Sequence, residues 1–594
     1  MPATFGYTIQ EWREQASQGL PHLAQLLHTH LAAIDRQDTA WITLATPQQL
    51  DEQLSTLQTL SPSLPLWGVP FAIKDNIDVA GWPTSAACPA AIVTPTQDAE
   101  VVARLKAAGA IVIGKTNLDQ YATGLVGTRS PYGAVCNSFD SAYISGGSSS
   151  GSASVLARGL VAFSLGTDTA GSGRIPAGFN NIVGLKPTKG WLSARGVIPA
   201  CRLNDTISLF ALTVAEAYHV ATIAGGYDEQ EAYSRQPLQK APAQFRTQPI
   251  FAIPDTLNFF GDSHAECAWQ KAVEALQSSG AQLEPIDFSP FQQLAEQLYA
   301  GPWVAERTAA IGEMIDQPEK MDPVVYQVIR QGLQYSAVDA YRAEYLRAEL
   351  SRQIQQALLP FDALIVPTSP TIHRLAAMPD DPIGLNSQLG FYTNFTNLAD
   401  LSALALPAPF RDDGLPAGIT LLAGAWHDRA LAEFGCRWQK QLALPLGATS
   451  QPYPHSAAGL PPSPDHVRVA VVGAHLTGMP LNYQLTTRNA VFIEETQTAE
   501  NYRLFALLNG PIKKPGLLRS DSGKAIIVEL WDIPLARFGE FVAEIPAPLG
   551  IGSLTLRDGR IVKGFICEPA ELTDALEITA FGGWRHWLTA QEEK

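Results

Sequence analysis

The sequence predicts an α/β protein in which helices flank a mixed sheet, followed by a smaller α+β domain that is rich in β-strand. From about residue 65, short apolar runs alternate with amphipathic helical stretches, a pattern typical of α/β cores. Beyond residue 466, strand-like runs dominate. Between these two regions proline, glycine and serine dominate and the apolar residues have no periodic spacing, which is typical of a linker.

The individual elements follow from periodicity in chain order. Residues 1–60 have helical spacing of their apolar side chains, clearest in HLAQLLHTHLAAI (22–34), so we predict a helical N-terminal segment. Further elements are predicted in the first domain: a helix over 101–109, strands over 110–114 and 161–168, a helix then a strand within 267–288, and a strand over 363–368.

The chain is expected to contain two domains. The first covers 1–444, the linker 445–466 and the second domain 467–594. Strand-like runs in the second domain include 467–475, 525–533 and 553–567, the last with a turn at Asp558-Gly559.

Composition and charge exclude several classes of function. The 594 residues contain 41 Lys and Arg against 57 Asp and Glu, and the net charge of −16 disfavours nucleic acid or an anionic membrane as a partner. The six cysteines are scattered without a CxxC pair, which argues against a zinc site or a disulfide framework. A signal-peptide pattern and a run of about 18 apolar residues are both absent. We therefore expect a cytoplasmic enzyme.

The most informative segment is ISGGSSSGSASVLARGLVAFSLGTDTAGSGRIPAGFNNIVGLKPT (144–188). Two Gly/Ser-rich loops flank a predicted helix and strand, so backbone amides and hydroxyls can converge on one point. Successive amides in such loops suit an anion or a developing oxyanion. Most segments of this composition are flexible loops, and some bind phosphate. The phosphate patterns GxxxxGK[ST] and GxGxxG and the serine-elbow pattern GxSxG are all absent.

A longer match distinguishes this segment from a flexible loop. It resembles the amidase signature family of serine hydrolases, in which a GGSS loop, a serine 24 residues further on in GTDxxGSxRxPA, and GLKPT occur together. Ser148 and Ser172 have this spacing, and PFAIKDNIDVAG (70–81) offers the family's upstream lysine as Lys74. The resemblance extends over most of residues 1–440. It implies that Ser172 is the nucleophile, that Ser148, preceded by a cis peptide, is the bridging serine, and that Lys74 is the base, without metal or cofactor.

The chemistry of these residues imposes its own conditions. A serine needs a base within hydrogen-bond reach, and lysine, with an ordinary pKa of about 10.4, becomes one at neutral pH only when burial lowers that value. The apolar neighbours of Lys74 are consistent with burial, but Asp75 and Asp78 must be turned aside.

The loop around the nucleophile is expected to form the oxyanion hole. Its donors would be the backbone amides of Thr169, Ala170, Gly171 and Ser172. The family often has glycine where Ala170 stands, and alanine tolerates fewer backbone conformations, so the resemblance does not imply the family's exact loop shape here. Asp168 and Arg174 bracket the loop, and we expect them to hold it by charge-assisted hydrogen bonds without touching substrate.

Two further stretches resemble the allophanate hydrolase branch of the family. YATGLVGTRSPYG (121–133) implies that the Gly124 backbone lies near the substrate, and YAGPWVAER (299–307) implies that Tyr299 and Arg307 hold it. A spacing of eight residues would place Tyr299 and Arg307 on one face of a helix. A guanidinium suits a substrate carboxylate. The ordinary alternative is that Tyr299 is a core aromatic residue and that Arg307 is a solvated charge.

The second domain resembles the extra domain of allophanate hydrolases, which is itself similar to γ-glutamyl cyclotransferases. The resemblance implies hydrolysis of allophanate to ammonia and N-carboxycarbamate in urea degradation, then decarboxylation, so that the overall products are two NH₃ and two CO₂. His475 is the implied catalytic residue of the second domain, and Glu529 matches an acid of the cyclotransferase fold. A histidine after an apolar strand is, however, often structural.

Alternative functions remain open at this stage. Another hydrolase of small carboxylated amides (malonamate-type), a subunit of a tRNA amidotransferase, and a non-catalytic scaffold are each compatible with part of the pattern. The net charge of −16 and the second domain argue against a tRNA partner, and the intact Lys74, Ser148 and Ser172 argue against a scaffold. The resemblance also implies a homodimer and functional coupling to a biotin-dependent urea carboxylase.

Overall fold

The computed structural model describes residues 6–238, 241–246, 248–454, 460–462, 466–508, 512–572 and 575–592. Parts of the predicted linker 445–466, and the outermost residues of the predicted N-terminal segment and second domain, lie outside these ranges. The chain divides into two compact units, Met1–His455 and Ser456–Lys594.

A mixed sheet forms the centre of the first unit. Eleven strands of the described chain build it: β1 (Trp41–Leu44), β2 (Pro70–Lys74), β3 (Ile111–Thr116), β4 (Phe163–Asp168), β5 (Val183–Lys186), β6 (Thr206–Ala211), β7 (Ile250–Pro254), β8 (Gln282–Ile286), β9 (Ala363–Pro367), β10 (Leu401–Ala408) and β11 (Ala417–Gly424). Their order is β1-β3-β2-β4-β6-β5-β10-β11-β9-β7-β8. The strands on either side of β2 are parallel to it, and those in the centre of the sheet are antiparallel.

Helices flank this sheet. They are α1 (Ile9–Ala16), α2 (Leu20–Ala33), α3 (Pro47–Gln58), α4 (Glu100–Ala107), α5 (Ser150–Ala157), α6 (Ile175–Phe179), α7 (Val214–Ala224), α8 (Ser263–Ser278), α9 (Ser289–Ala300), α10 (Val304–Ile311), α11 (Pro323–Ile329), α12 (Ala337–Leu358), α13 (Gly384–Leu389) and α14 (Asp428–Leu442). The predicted mixed α/β core is therefore confirmed. No helix in the described ranges is long and apolar enough to cross a membrane.

The N-terminal segment is only partly helical, contrary to the prediction for residues 1–60. Strand β1 interrupts it and pairs antiparallel with β3, at the edge of the sheet. The pairing partner lies some 70 residues further on, with Trp41 opposite Thr116. Local periodicity cannot reveal a four-residue strand whose hydrogen bonds are all non-local.

The pairing of β2 with β4 positions the candidate site. The two strands are parallel, with Ile73 opposite Leu165, so their carboxyl ends meet at one edge of the sheet. Helix α5 begins beside this edge, and all eight of its residues are buried. Its small side chains permit close approach to the neighbouring backbone, since a Cβ at Gly151 would lie 2.2 Å from the carbonyl oxygen of Ala40.

The second unit is smaller and rich in strand, as predicted. Its elements are β12 (His466–Val471), α15 (Tyr483–Thr486), β13 (Val491–Gln497), β14 (Tyr502–Leu507), β15 (Lys514–Arg519), β16 (Ile527–Pro534), α16 (Leu535–Ala543), β17 (Leu549–Thr555), β18 (Ile561–Cys567), β19 (Leu576–Glu577) and α17 (Trp584–Glu592). In the residues described, one sheet has the order β13-β16-β12-β18-β17 and another has the order β15-β14-β19.

A matched pair of glycines tests how closely the turn between α4 and β3 packs against the backbone of Trp67. Gly109 has φ +95°, and a Cβ there would lie 2.6 Å from the backbone Cα of Trp67. Gly414 has φ +84° and no atom within 4 Å of the corresponding position. Gly414→Ala therefore introduces only backbone strain of about 1–2 kcal/mol, whereas Gly109→Ala adds a clash with backbone. Chemical denaturation is expected to show a clearly larger loss of stability for Gly109→Ala, and equal losses would contradict this.

Candidate active site

Three polar side chains form a continuous hydrogen-bonded chain at the edge where β2 and β4 end. The Nζ of Lys74, the last residue of β2, donates to the Oγ of Ser148 at 2.8 Å. The Oγ of Ser148 donates to the Oγ of Ser172 at 3.0 Å. All three residues are at most 2 % exposed. The peptide bond between Gly147 and Ser148 is cis. Side chains 24 and 74 residues apart in sequence are thus brought into one relay.

The surroundings of Lys74 favour its neutral form. Burial lowers its pKa from 10.5 to about 7, and the charge of Arg307 adds to the lowering. The carboxylates of Asp119, Asp205 and Asp168 act in the opposite direction. Hydroxyl groups take the hydrogen bonds of its Nζ, with Thr167 Oγ1 at 2.7 Å beside Ser148. A neutral amine can therefore form near pH 7 and accept a proton.

The acid next to Lys74 in sequence is turned away from it, as the chemistry requires. Asp75 lies 3.2 Å from the Nζ of Lys115 and accepts hydrogen bonds from the amide and hydroxyl of Ser85. Asp78 is not among the charges that act most strongly on Lys74, and burial raises its own pKa. A second buried lysine therefore neutralises the carboxylate that would otherwise keep Lys74 protonated.

Asp168 and Arg174 clamp the loop that carries Ser172. The Nε and Nη2 of Arg174 donate to the two carboxylate oxygens of Asp168 at 2.9 and 3.0 Å, and both residues are fully buried. Burial alone would raise the pKa of Asp168, but the charge and hydrogen bonds of Arg174 outweigh it and hold that pKa below its usual value. The carboxylate also accepts from the amides of Gly171 and Gly173. The pair thus determines the loop shape.

The loop amides are not all equally available. Because the amide of Gly171 already donates to Asp168 at 3.0 Å, three of the four predicted oxyanion donors remain. These are the amides of Thr169, Ala170 and Ser172, which have no partner among the described residues. The Thr169 hydroxyl donates to the buried carboxylate of Asp205, which holds the start of the loop.

Tyr299 and Arg307 contact each other, but not through a single helix. Tyr299 lies on α9 and Arg307 on α10, and α9 ends at Gly301, so the prediction of one helix face is wrong. The guanidinium lies 4.8 Å from the Tyr299 ring centroid, and its Nη2 donates to the tyrosine hydroxyl at 2.9 Å. Two consecutive helices, one carrying each residue, replace the two turns of one helix.

Gly124 lies next to the residue that binds Arg307. The Nη1 of Arg307 donates to Thr123 Oγ1 at 3.1 Å. A Cβ at Gly124 would be 2.6 Å from the carboxylate of Asp119, so only glycine fits there. Asp119 in turn accepts from the amides of Val126 and Gly127 and orders this loop. The loop therefore connects the guanidinium of Arg307 to Asp119, the carboxylate that raises the pKa of Lys74 most.

Arg307 is a buried charge without an acidic partner. It is 1 % exposed, and in the described chain no carboxylate lies within ion-pair distance of it. Its Nε has no hydrogen-bond partner there either. Burial alone would lower its pKa, but Tyr299, Cys201, Asp205 and Glu306 outweigh this and raise it, so the guanidinium stays charged. An unpaired buried cation of this kind is suited to an anionic ligand.

Three residues in this region were not predicted from the sequence: Thr167, Asp119 and Asp205. Thr167 precedes Asp168 in the GTD motif, so its contact with Lys74 could have been found from the parallel pairing of β2 and β4. Burial raises the pKa of Asp205 to about 6, against hydrogen bonds from Thr169 and the amides of Ala200 and Cys201. Asp119 and Asp205 act through tertiary proximity, for which the sequence contains no local signal.

His475 and Glu529 belong to the second unit. His475 lines a cavity of about 110 Å³, with Lys514 and Glu544 also at its wall. Its ring stacks on Phe565 at 4.9 Å, and its Nε2 lies 2.7 Å from Oε1 of Gln484. Burial lowers its pKa, which favours neutral imidazole.

Glu529 is not among the residues that line this cavity. Its carboxylate accepts hydrogen bonds from the amide and hydroxyl of Thr477, from Trp531 and from Arg585. Three of these hydrogen bonds are to Oε2 and the one from Arg585 is to Oε1, and the role implied for Glu529 stays a prediction.

Comparisons with known proteins match both units. The profile of the Amidase family matches residues 24–432, and that of the allophanate hydrolase C-terminal domain matches residues 467–589. Urea amidolyase of Saccharomyces cerevisiae is 43% identical over 617 residues, covering 100% of this chain and 34% of that protein. The chain thus spans about a third of the length of this curated relative.

Solved structures agree with this match. The structure of Kluyveromyces lactis allophanate hydrolase has a TM-score of 0.80 and 42% identity, and covers 99% of this chain and 100% of its own. The K. lactis urea amidolyase structure has a TM-score of 0.79 and 41% identity, covering 99% of this chain and 37% of its own.

The protonation of Lys74 can be tested without a substrate. A fluorophosphonate should label Ser172 with a rate that rises with pH through about 7 and then levels off, because only neutral Lys74 can accept the proton. The pH dependence of labelling, followed by fluorescence in gels, measures this directly. Lys74→Ala should label slowly at every pH. A wild-type rate that continues to rise towards pH 10 would contradict the lowered pKa.

Proposed function

The chain belongs to the amidase family, and we propose that it hydrolyses allophanate to ammonia and N-carboxycarbamate. The observation that carries the proposal is the unpaired buried guanidinium of Arg307 in the same electrostatic environment as the Lys74–Ser148–Ser172 relay. Such a site suits a small amide that carries a carboxylate. The match over the whole chain to structures named allophanate hydrolase supports this substrate over other carboxylated amides.

In the proposed acylation step, neutral Lys74 accepts a proton from Ser148 as Ser148 accepts one from Ser172. The Oγ of Ser172 then attacks the terminal carbamoyl carbon of allophanate, and the C–O bond forms. The amides of Thr169, Ala170 and Ser172 stabilise the oxyanion. The relay returns the proton to the departing nitrogen, the C–N bond breaks, and ammonia leaves.

Deacylation repeats the relay with water. Lys74 and Ser148 take a proton from the water molecule, whose oxygen attacks the acyl carbon bound to Ser172. N-carboxycarbamate is released, and Ser172 recovers its proton. Tyr299, Arg307 and the Gly124 backbone would hold the substrate during both steps, with the carboxylate on the guanidinium.

The second unit has a more limited role in the proposal. We propose that residues 1–444 act as the amidase domain, joined by 445–466 to a domain at 467–594 in which His475 aids decarboxylation of N-carboxycarbamate. Lys514 in the wall of the cavity around His475 supports a small anionic ligand there, whereas Glu544 in the same wall opposes one. The overall products would then be two NH₃ and two CO₂.

The setting of the reaction is also proposed. A biotin-dependent urea carboxylase would supply allophanate, which is supported by the match to a third of a larger protein named urea amidolyase. We further propose a homodimer that works in the cytoplasm. All six cysteines lie in the described ranges and none forms a disulfide, consistent with a reducing compartment.

Removal of the nucleophile tests the reaction. Ser172→Ala should abolish ammonia release from allophanate, because it removes the hydroxyl that accepts the hydrogen bond of Ser148 and would attack the substrate. The matched control is Ser154→Ala, which also removes a buried serine hydroxyl but one that lies on α5, outside the relay. This variant should retain activity. Ammonia release at wild-type rate by Ser172→Ala would end the assignment.

The role of Arg307 is tested by substrate charge. Biuret has the shape of allophanate but a neutral amide in place of the carboxylate. Arg307→Gln should lower kcat/KM for allophanate by about 100-fold, since losing one partner of a buried charge pair costs about 2–5 kcal/mol. The effect of Arg307→Gln on any turnover of biuret should be much smaller. Tyr299→Phe should lower kcat/KM for allophanate less than Arg307→Gln does. Equal losses for both substrates would contradict the carboxylate contact.

A further inference from the structure

A second buried arginine binds the same residue as Arg307. Arg129 is 4% exposed, and its Nη1 donates to the carbonyl oxygen of Thr123 at 2.9 Å, while Arg307 donates to the hydroxyl of Thr123. The Nη2 of Arg129 donates to the carbonyl oxygen of Pro382 at 2.6 Å, and its Nε has no hydrogen-bond partner among the described residues. Both acceptors of this cation are backbone carbonyls, so it ties the backbone of Thr123 to a distant segment of the chain.

The carbonyl that Arg129 holds belongs to the peptide bond between Thr123 and Gly124. This peptide bond is trans. In a trans peptide the carbonyl and the amide N–H point in opposite directions, because the peptide unit is planar. The amide of Gly124 therefore points away from the guanidinium of Arg129, and the hydrogen bond to Thr123 fixes that direction.

The amide of Gly124 is a buried donor that has no acceptor in the described part of the chain. The amides of its neighbours Thr123, Leu125 and Val126 all donate to oxygen atoms of the protein. Buried amides that lack an acceptor are uncommon, since each one costs the free energy of a lost hydrogen bond. A single unpaired amide in an otherwise satisfied loop therefore indicates an acceptor supplied by a ligand.

The same loop is joined to the relay. The amide of Gly147 donates to the carbonyl of Leu125 at 2.8 Å, and the amide of Asp119 donates to the carbonyl of Ser148 at 3.2 Å. One network of backbone hydrogen bonds thus connects the unpaired donor to the bridging serine. The hydroxyl of Thr123 connects it to Arg307 on the other side.

We propose that Arg129 is a positioning residue, which aims the amide of Gly124 at the substrate carboxylate by holding the carbonyl of Thr123. The carboxylate then accepts from this amide as well as from the guanidinium of Arg307, and two donors orient it more narrowly than one. Arg129 itself does not touch the substrate. The inference rests on the proposed function, because it names a further determinant of the same substrate site.

Two substitutions of Arg129 in the full chain test this role. Arg129→Gln should lower kcat/KM for allophanate by about tenfold, which corresponds to the loss of one hydrogen bond to a charged group. Arg129→Lys keeps the charge but not the planar fork, and it should lower kcat/KM less. A fluorophosphonate has no carboxylate, so both variants should label Ser172 at a rate close to that of the wild type. The matched control is Arg104→Gln, since Arg104 also donates to two backbone carbonyls, and its kcat/KM for allophanate should equal that of the wild type.

A double variant tests whether Arg129 acts through the carboxylate site. In Arg307→Gln the carboxylate has already lost its cation, so the orientation of the Gly124 amide matters less. Adding Arg129→Gln to Arg307→Gln should therefore lower kcat/KM for allophanate by only about twofold further, because residues that serve one contact are not additive.

The outcomes separate this inference from the proposed function. Wild-type kcat/KM for allophanate in Arg129→Gln would overturn the inference alone. A parallel loss of labelling and turnover in both Arg129 variants would also overturn it, because that result means that the arginine only supports the fold. Losses that multiply in the double variant would overturn it as well. A wild type that labels at Ser172 but releases no ammonia from allophanate would overturn the proposed function, and this inference with it.

Discussion

The charge state of one buried lysine decides whether this site can work. Lys74 is fully buried at the end of β2, where hydroxyl groups and no carboxylate accept its hydrogen bonds. That environment lowers its pKa to about 7. Asp75, the carboxylate next to it in sequence, is occupied by Lys115 and Ser85. The fold thus pairs the carboxylate adjacent in sequence with other groups, so that it does not keep the lysine protonated.

The two buried basic side chains of this region, Lys74 and Arg307, differ in whether they keep their positive charge. Lys74 can lose its proton because an amine deprotonates when it is desolvated, whereas a guanidinium does not. Arg307 keeps its charge over the ring of Tyr299, and its field lowers the pKa of Lys74 further. The proposed chemistry uses both properties, since one group must accept a proton and the other must hold an anion.

The extent to which the sequence predicts this structure depends on the range of the interactions involved. The α/β class and the strand-rich second unit follow from local periodicity and are confirmed by the fold. The strand β1 and the break at Gly301 between α9 and α10 were missed, because non-local pairing and a chain turn override helical spacing there. Lys74, Ser148 and Ser172 were selected from motifs, and the structure brings them into contact. Asp119 and Asp205 were not found, because they act on the site only through tertiary proximity; the roles of all these residues stay predictions.

A direct titration of Lys74 is the most decisive measurement. In protein labelled with ¹³C at lysine Cε, the resonance that disappears in Lys74→Arg identifies this side chain. Its chemical shift is expected to titrate with a midpoint near pH 7 in the full-length wild type. A midpoint near the ordinary lysine value of about 10.4 would mean that the amine stays charged at neutral pH, and the proposed relay would have no base.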